Sequence, residues 1–231
     1  MNTKYIDKYI DINGKINKRG FISKIFVRIF DVIKFIFDRL LAFVGIIVLL
    51  PLILIVSVAI KLDSKGPILF KQIRTGKNGK NFVMHKFRTM VADNDVRDFS
   101  VADKHTKVGK FLRKTSLDEI PQLFTIAIGK MSFIGPRPWI TDYYDSMNET
   151  QRHRFDVRPG LTGLAQVNGR NNITIFEKIN YDLEYIKNYS LIQDVKIVFL
   201  TIKAVFTGNG ADAGKGTIQN ELEDLKKSNK S

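Results

Sequence analysis

The sequence predicts an α+β protein: an N-terminal re-entrant membrane helix, then a small, mostly helical domain carrying a short β-hairpin. Three observations predict it. Leu40 to Ile60 (LLAFVGIIVLLPLILIVSVAI) is a run of 21 residues without a charge, with Pro51 near its centre. Residues 68–90 read as two strand candidates around an Asn78-Gly79 pair, a strong hairpin signal. From residue 108 onward, five helical stretches follow one another with polar, Gly- and Pro-bearing connections.

Composition bounds the reading before any element is justified. The 231 residues, 44% apolar and 26% charged, are ample for a sizeable core and are neither disordered nor collagen-like. The absence of cysteine excludes a disulfide scaffold, a Cys-ligated zinc site and a thiol nucleophile. A net charge of +14 and a pI near 9.8 propose anionic partners: nucleic acid, the headgroups of an anionic membrane, or phosphate-bearing substrates. That charge is unevenly placed. Residues 1–39 carry a net +5 and residues 61–114 a net +9, whereas 115–207 and 208–231 are each neutral in sum. The excess therefore flanks Leu40–Ile60 on both sides.

Taken in order, residues 1–20 form a polar, basic, loosely ordered extension. Residues 21–60 combine two parts. Phe21 to Arg39 places Ile22, Phe26, Ile29, Ile33 and Ile36 at helical spacing, punctuated by Lys24, Arg28, Asp31, Lys34 and Asp38, which predicts an amphipathic helix. Leu40–Ile60 is long enough to span a bilayer at about 1.5 Å per residue. It starts too far in to be a signal peptide and lacks a small-x-small cleavage site. Pro51 deletes a backbone hydrogen bond at its middle. Lys24, Arg28, Lys34 and Arg39 precede the segment, and Lys61, Lys65, Lys71, Arg74, Lys77 and Lys80 follow it, so both flanks favour the cytoplasmic side. A helix that enters, breaks at Pro51 and returns satisfies both flanks. A tilted spanning helix with a tolerated proline is the alternative.

Residues 61–207 form the main domain. Ile68 to Arg74 is a strand, Thr75 to Lys80 the turn, and Asn81 to Met90 the return strand. Residues 91–107 read as a loop. Helices are expected over Val108–Lys114, Ser116–Lys130, Thr141–Arg154, Asn180–Asn188 and Leu191–Thr207, the last strongly apolar and suited either to core or to a membrane surface. The tail from 208 to 231 reads as mobile.

The chemistry concentrates in three runs. In Lys114-Thr115-Ser116-Leu117-Asp118-Glu119-Ile120-Pro121, a helix containing Pro121 must begin close to Ser116–Asp118, and Ser116 with Glu119 has capping-box spacing. Asp118 and Glu119 then lie in a first turn, where the helix dipole, Arg113 and Lys114 favour ionised carboxylates. Such a carboxylate can bind Mg²⁺ or act as a nucleophile, though acidic residues in a first turn also serve as plain caps. In Gly129 to Pro138, Arg137 is clamped between two prolines, which pre-places its guanidinium for phosphate. Arg158 to Arg170 is a Gly-rich loop with Gln166 and Asn168, suited to a nucleobase or sugar. Lys86 and Arg88 add a cationic strand end.

These blocks, in this order, resemble the bacterial sugar transferases, the monotopic phosphoglycosyl transferases that begin glycan assembly on a polyprenol carrier. The matching pieces are the proline-bearing membrane segment, Lys86-Phe87-Arg88-Thr89-Met90, Leu117 to Leu123, Met131 to Pro138 and Arg158 to Arg170, spread over residues 28–205. The resemblance implies transfer of a sugar-1-phosphate from a UDP-sugar to undecaprenyl phosphate, with release of UMP. It implies Asp118 as the nucleophile, through a phosphosugar–aspartyl intermediate, with Glu119 assisting and Mg²⁺ bound beside them. Lys86, Arg88, Arg113 and Arg137 would hold phosphate, and Arg158, Gln166, Asn168 and Arg170 would line the nucleotide and sugar. It also implies a re-entrant helix broken at Pro51, on the cytosolic face of the bacterial inner membrane, in the minimal catalytic form of the family. Leu50, Arg88 and Lys130 stand where many members carry Ser, Lys and an acidic residue. An anionic membrane is the expected partner, a homodimer is left open, and nucleic acid is not expected, because no RNP, zinc-finger or helix-turn-helix pattern accompanies the basic charge. A non-catalytic membrane-surface scaffold for glycan export is the competing reading.

Overall fold

The structure, a computed structural model, describes residues 8–10, 16–18, 21–91, 105–169, 172–207 and 218–228. Within the N-terminal extension, β1 (Lys8–Ile10) and β2 (Ile16–Lys18) pair antiparallel, an ordered ladder where a loose segment was expected.

Helix α1 (Phe21–Asp63) joins the two expected N-terminal pieces into 43 continuous residues and runs through Pro51 rather than ending there. Proline removes one backbone hydrogen bond, and packing on both sides of it holds the flanking turns. Val27, Asp31, Lys34, Asp38, Ala42, Val56 and Ile60 are buried and follow a three-and-four spacing that defines one face. Phe26, Ile33, Phe37, Leu40, Val44, Val48, Ile55 and Leu62 are exposed on the others. The expected amphipathic helix is therefore turned inside out. Asp31, Lys34 and Asp38 face the protein, whereas the large apolar residues face outward together with Arg28 and Arg39.

Each buried polar residue of α1 has a partner. Lys34 Nζ lies 2.6 Å from Asp194, Ser132 donates to Asp38 at 2.6 Å, and the Tyr189 hydroxyl donates to Asp31 at 3.0 Å. Lys34, expected to hold the helix at a headgroup surface, is neutralised in the interior instead. By length and composition α1 is able to cross a membrane.

Three of the four core clusters among the described residues form along α1. Val27 packs with Ile134, Val157, Tyr185 and Ile197. Ala42, with Ile46 and Leu49, packs against Phe82, Met84, Leu123 and Ile126. Val56 and Ile60 pack against Phe87 and Leu112. The fourth cluster, around Trp139, Tyr143, Ile175, Ile179 and Leu183, lies apart from α1.

The hairpin forms as expected, from β3 (Leu69–Thr75) and β4 (Asn81–Phe87), with Thr75 opposite Asn81. Asn78 at φ 58° and Gly79 at φ 72° supply the left-handed turn. Helix α2 (Lys107–Lys114) is capped by the Thr106 side chain. The helix expected over Ser116–Lys130 is instead a 3₁₀ turn (Leu117–Glu119) followed by α3 (Gln122–Ala127), closed by Gly129 at φ 78°. The single helix expected over Thr141–Arg154 is split into α4 (Thr141–Ser146) and α5 (Glu149–Arg152), because Asn148 starts a new capping box with Gln151.

Strands β5 (Ser132–Ile134) and β6 (Gly160–Thr162) pair in parallel, which the sequence did not signal. After α6 (Leu164–Val167), α7 (Ile175–Lys187) begins five residues earlier than expected, at a Thr174–Glu177 capping box. Helix α8 (Leu191–Thr207) buries Asp194 and Ile197 and exposes Leu191, Ile192, Phe199 and Ile202 together with Lys196 and Lys203, so of its charged residues only Asp194 turns inward. The expected mobile tail contains α9 (Ile218–Ser228), whose Leu225 is fully buried in the Trp139 cluster. Glu221 of α9 binds Lys178 at 2.7 Å and accepts a hydrogen bond from Tyr143.

Candidate active site

Asp118 and Glu119 are presented by the 3₁₀ turn between α2 and α3. Ser116 adopts a left-handed backbone (φ 57°) as the chain turns out of α2, so its side chain makes no cap and the expected capping box with Glu119 does not form. That frees the Glu119 side chain for other partners. Lys86 Nζ donates to Glu119 Oε1 at 2.6 Å, and Arg137 Nη2 donates to the same oxygen at 3.1 Å.

The two carboxylates are thereby set apart. Burial alone would push the Glu119 carboxyl up, but Arg137 and Lys86, charged and hydrogen-bonded to it, outweigh burial and hold it down to about 2. Asp118 accepts no hydrogen bond among the described residues. Burial pushes its carboxyl above the usual range with help from the Glu119 charge, while Lys86, Arg113 and Arg137 pull the other way. A desolvated carboxylate is a better base and nucleophile than a hydrated one. Glu119 is the fixed counter-charge of the site, and Asp118 is its available one.

Each cation is held by the fold. Lys86 stands near the end of β4, one residue before buried Phe87. Arg137 follows β5 between Pro136 and Pro138, and its carbonyl accepts a 2.9 Å hydrogen bond from Arg154 Nη2. Arg154 is fully buried, donates to Asp182 at 2.6 and 2.9 Å, and stacks 3.7 Å from the Trp139 ring centre. The Arg154–Asp182 pair thus fixes the backbone that presents Arg137. Sequence reasoning missed it, although a signal existed: Asp182 falls on the stripe Ile175, Ile179, Leu183 and Ile186, where an acid is out of place unless paired.

The other expected site residues are distributed differently. Arg113 is exposed and within 3.0 Å of His105 Nε2, near enough to Asp118 to act on its charge. Arg88 is buried and donates to the carbonyls of Ser64 and Lys65 and to the Ser64 hydroxyl. It closes the C-terminal end of α1, where backbone carbonyls lack helical partners, instead of joining the Glu119 cluster. Arg158 is engaged with Asp31 at 3.5 Å and lies 4.2 Å from the Phe35 ring centre, against α1. The Asn168 side chain donates to the Leu164 carbonyl at 2.8 Å. Gln166 has a buried amide whose oxygen and nitrogen both lack partners. Arg170 lies outside the described residues.

The Gly-rich loop also differs from expectation. Its glycines admit backbone rather than ligand: a Cβ on Gly160 would stand 2.1 Å from the Gly135 nitrogen, and one on Gly163 would stand 2.1 Å from the Gly135 oxygen. They interlock the loop with the Gly135–Arg137 turn through the β5–β6 pair.

The carboxylates suit a magnesium ion of a particular kind. No group of three or more His, Cys, Asp or Glu gathers among the described residues, so a dedicated protein cage is not built there. Mg²⁺ more often takes one or two carboxylates and completes its shell with substrate phosphates and water. Asp118 and the Glu119 Oε2 oxygen, which takes neither of the two cations, fit that donor set.

The chain also matches known proteins over most of its length. The family model described as bacterial sugar transferase matches residues 29–208. The chain is 43% identical over 162 residues to galactosyl transferase CpsE of Streptococcus agalactiae, covering 63% of this chain and 36% of CpsE. It is 40% identical over 161 residues to the uncharacterised sugar transferase EpsL of Bacillus subtilis, covering 69% of this chain and 80% of EpsL. It is 41% identical over 186 residues to the UDP-glucose:undecaprenyl-phosphate glucose-1-phosphate transferase of Klebsiella pneumoniae, covering 75% and 40% respectively. The chain therefore spans less than half the length of two of these relatives and most of the third. With residues 29–208 matched in one piece, this chain belongs to the bacterial sugar transferase family.

Proposed function

We propose that this protein transfers a sugar-1-phosphate from a UDP-sugar to undecaprenyl phosphate, releasing UMP, as the first membrane step of glycan assembly. One observation carries the reading: in a pair of adjacent carboxylates, Glu119 is held by Lys86 and Arg137 while Asp118 is desolvated and unengaged. The Klebsiella relative is named for this reaction with UDP-glucose, and CpsE is named a galactosyl transferase, which supports a UDP-hexose donor.

In the reaction, an Asp118 carboxylate oxygen attacks the β-phosphorus of the donor. The bond from that phosphorus to the bridging oxygen breaks, and UMP leaves with the oxygen. The phosphosugar is then an acyl phosphate on Asp118. A terminal oxygen of undecaprenyl phosphate attacks the same phosphorus, the Asp118 oxygen–phosphorus bond breaks, and the carboxylate is restored. Lys86 and Arg137 hold the charge of the transferring phosphoryl group, the chief demand of such a displacement. Glu119 keeps these two cations at the site when substrate is absent. Mg²⁺, when bound at Asp118 and Glu119, supplies further neutralisation of phosphate charge.

A polyprenyl acceptor requires the site to lie at a membrane surface. The turn bearing Asp118 and Glu119 is flanked by Phe111 on α2 and by Phe124 and Ile128 around α3, all exposed. The apolar outer faces of α1 and α8 are suited to lipid. Helix α1 packs on the one domain at Val27, at Ala42 and at Ile60, which supports keeping both of its ends on the domain's side of the membrane. The bacterial inner membrane, with the domain on its cytosolic side, is the corresponding location.

Asp118→Asn is expected to abolish UMP release. Wild-type protein given donor without acceptor should gain the mass of one hexose phosphate on Asp118. Near-normal turnover by Asp118→Asn refutes the mechanism. Absence of turnover by wild type with every UDP-sugar tried favours a scaffold for glycan export. For topology, cysteines placed at both ends of Leu40–Ile60 should be labelled from the same face.

A further inference from the structure

Strand β3 brings a third cation toward Glu119. Arg74 is opposite Phe82, Gln72 opposite Met84 and Phe70 opposite Lys86, and residues paired across an antiparallel rung share a face. Phe82 and Met84 are buried on that face, while Ile73 and Val83 are exposed on the other. Arg74 therefore points into the protein on the same side as Lys86.

Its guanidinium is incompletely matched there. Nη1 donates to the Pro138 carbonyl at 3.3 Å and Nη2 to the Gln72 side-chain oxygen, both neutral acceptors. Nε is buried and lacks a partner. No carboxylate forms a salt bridge with Arg74 among the described residues. Burial, reinforced by the neighbouring Arg137 charge, lowers its proton affinity to about 10. A guanidinium carries five donors and is costly to desolvate without a counter-charge, and here a second guanidinium lies beside it. The arrangement is completed by an anion with several oxygens.

We propose that Arg74 is a phosphate-binding residue of this site, taking the donor diphosphate jointly with Arg137 and Lys86. The assignment rests on the function proposed above for its substrate, but the anion site is testable without turnover. Pro138 links the two arginines physically: it carries the carbonyl that holds Arg74 and adjoins the residue that holds Glu119. A diphosphate bridging both guanidiniums would replace contacts to neutral acceptors with ion-paired hydrogen bonds.

The test is titration calorimetry of the full chain in detergent with pyrophosphate and Mg²⁺, beside initial rates of UMP release. Arg74→Gln is expected to weaken pyrophosphate by about ten-fold or more and to raise the donor KM similarly, the scale of losing a charge-assisted pair. The KM for undecaprenyl phosphate and the thermal midpoint should stay at wild-type values, and Arg74→Lys should recover part of the affinity. Gln72→Glu gives Arg74 a built-in carboxylate partner and should weaken pyrophosphate while preserving the fold. Wild-type pyrophosphate affinity in Arg74→Gln, or in Gln72→Glu where the first variant does not fold, overturns the proposal. Pyrophosphate binding that depends on Arg74, in a protein releasing no UMP from any UDP-sugar, upholds the anion site and sinks the proposed reaction instead.

Discussion

Replacing Glu119 with glutamine tests the electrostatic account of the site most directly. The carboxyl is held down from 4.5 to about 2, a difference worth about 3 kcal/mol between its charged and neutral forms. The side chain is only 20% exposed, so solvent screens little of this. The sign follows from linkage. A carboxyl depressed in the folded state contributes its full stability above the unfolded value near 4.5, and loses it as pH falls toward about 2. Glu119→Gln leaves Lys86 and Arg137 facing each other across an amide. At neutral pH it should destabilise the protein by roughly 2–3 kcal/mol, which lowers the thermal midpoint by about 4–12 °C for a chain of this size. The assay is thermal unfolding of both proteins in detergent, from pH 7.5 down to about pH 3. The gap should be full at neutral pH and shrink on acidification, as the wild-type carboxylate begins to protonate. A gap that is absent at neutral pH, or that is unchanged at about pH 3, refutes the clamp.

Three further outcomes follow from packing. Leu225→Ala should cost about 2–5 kcal/mol and release α9 to proteolysis, because the side chain is fully buried in the Trp139 cluster; thermal unfolding and timed trypsin cleavage read it. Gly160→Ala places a Cβ 2.1 Å from the Gly135 nitrogen, so it should separate β5 from β6 and yield no monodisperse protein on size-exclusion chromatography. Lys34→Met leaves Asp194 and Asp38 buried with no ammonium between them, and should cost about 3–5 kcal/mol, partly recovered by adding Asp194→Asn, as measured in a double-mutant cycle of thermal unfolding.

Local signals are legible in the sequence, and contacts between distant segments are not. The hairpin is readable because Asn78-Gly79 specifies its own turn, and α2 and α8 because each carries a helical pattern within its own residues. The Asp118-Glu119 pair and Arg137 stand out by residue type and spacing, and the structure brings Arg137 to Glu119. The failures share one cause. Strands β5 and β6 are three residues each and exist only as a pair 28 residues apart, so neither has a pattern to detect. Ser116 and Glu119 have capping-box spacing, but Lys86 and Arg137 compete for the carboxylate from 33 and 18 residues away. Lys86 and Arg88 are two residues apart, which in a continuing strand would set both on one face. Strand β4 ends at Phe87, however, and the Arg88 side chain turns to the carbonyls of Ser64 and Lys65, 24 and 23 residues back along the chain.

The N-terminal helix shows how composition can be right about an element and wrong about its orientation. Asp31, Lys34 and Asp38 resemble the wet face of an amphipathic helix because charge normally seeks water. Their spacing continues through Ala42 to Val56 and Ile60, so the charged residues and the tightest packing positions form one stripe. A single stripe of that kind has only two consistent placements. In water it would face out, exposing charge and burying Phe26, Ile33, Phe37 and Leu40. Against lipid the preference inverts, since hydrocarbon accepts those side chains at no cost while an unpaired charge there is expensive. The partners decide between them: Asp194 from α8, Ser132 from β5 and Tyr189 just past the end of α7 each supply the polar group that an inward stripe needs. The net charge of +14 is thus not a uniform coat. Part of it holds a membrane-suited helix to its domain, and part, at Arg74, Lys86 and Arg137, is concentrated around Glu119, at the proposed phosphate site.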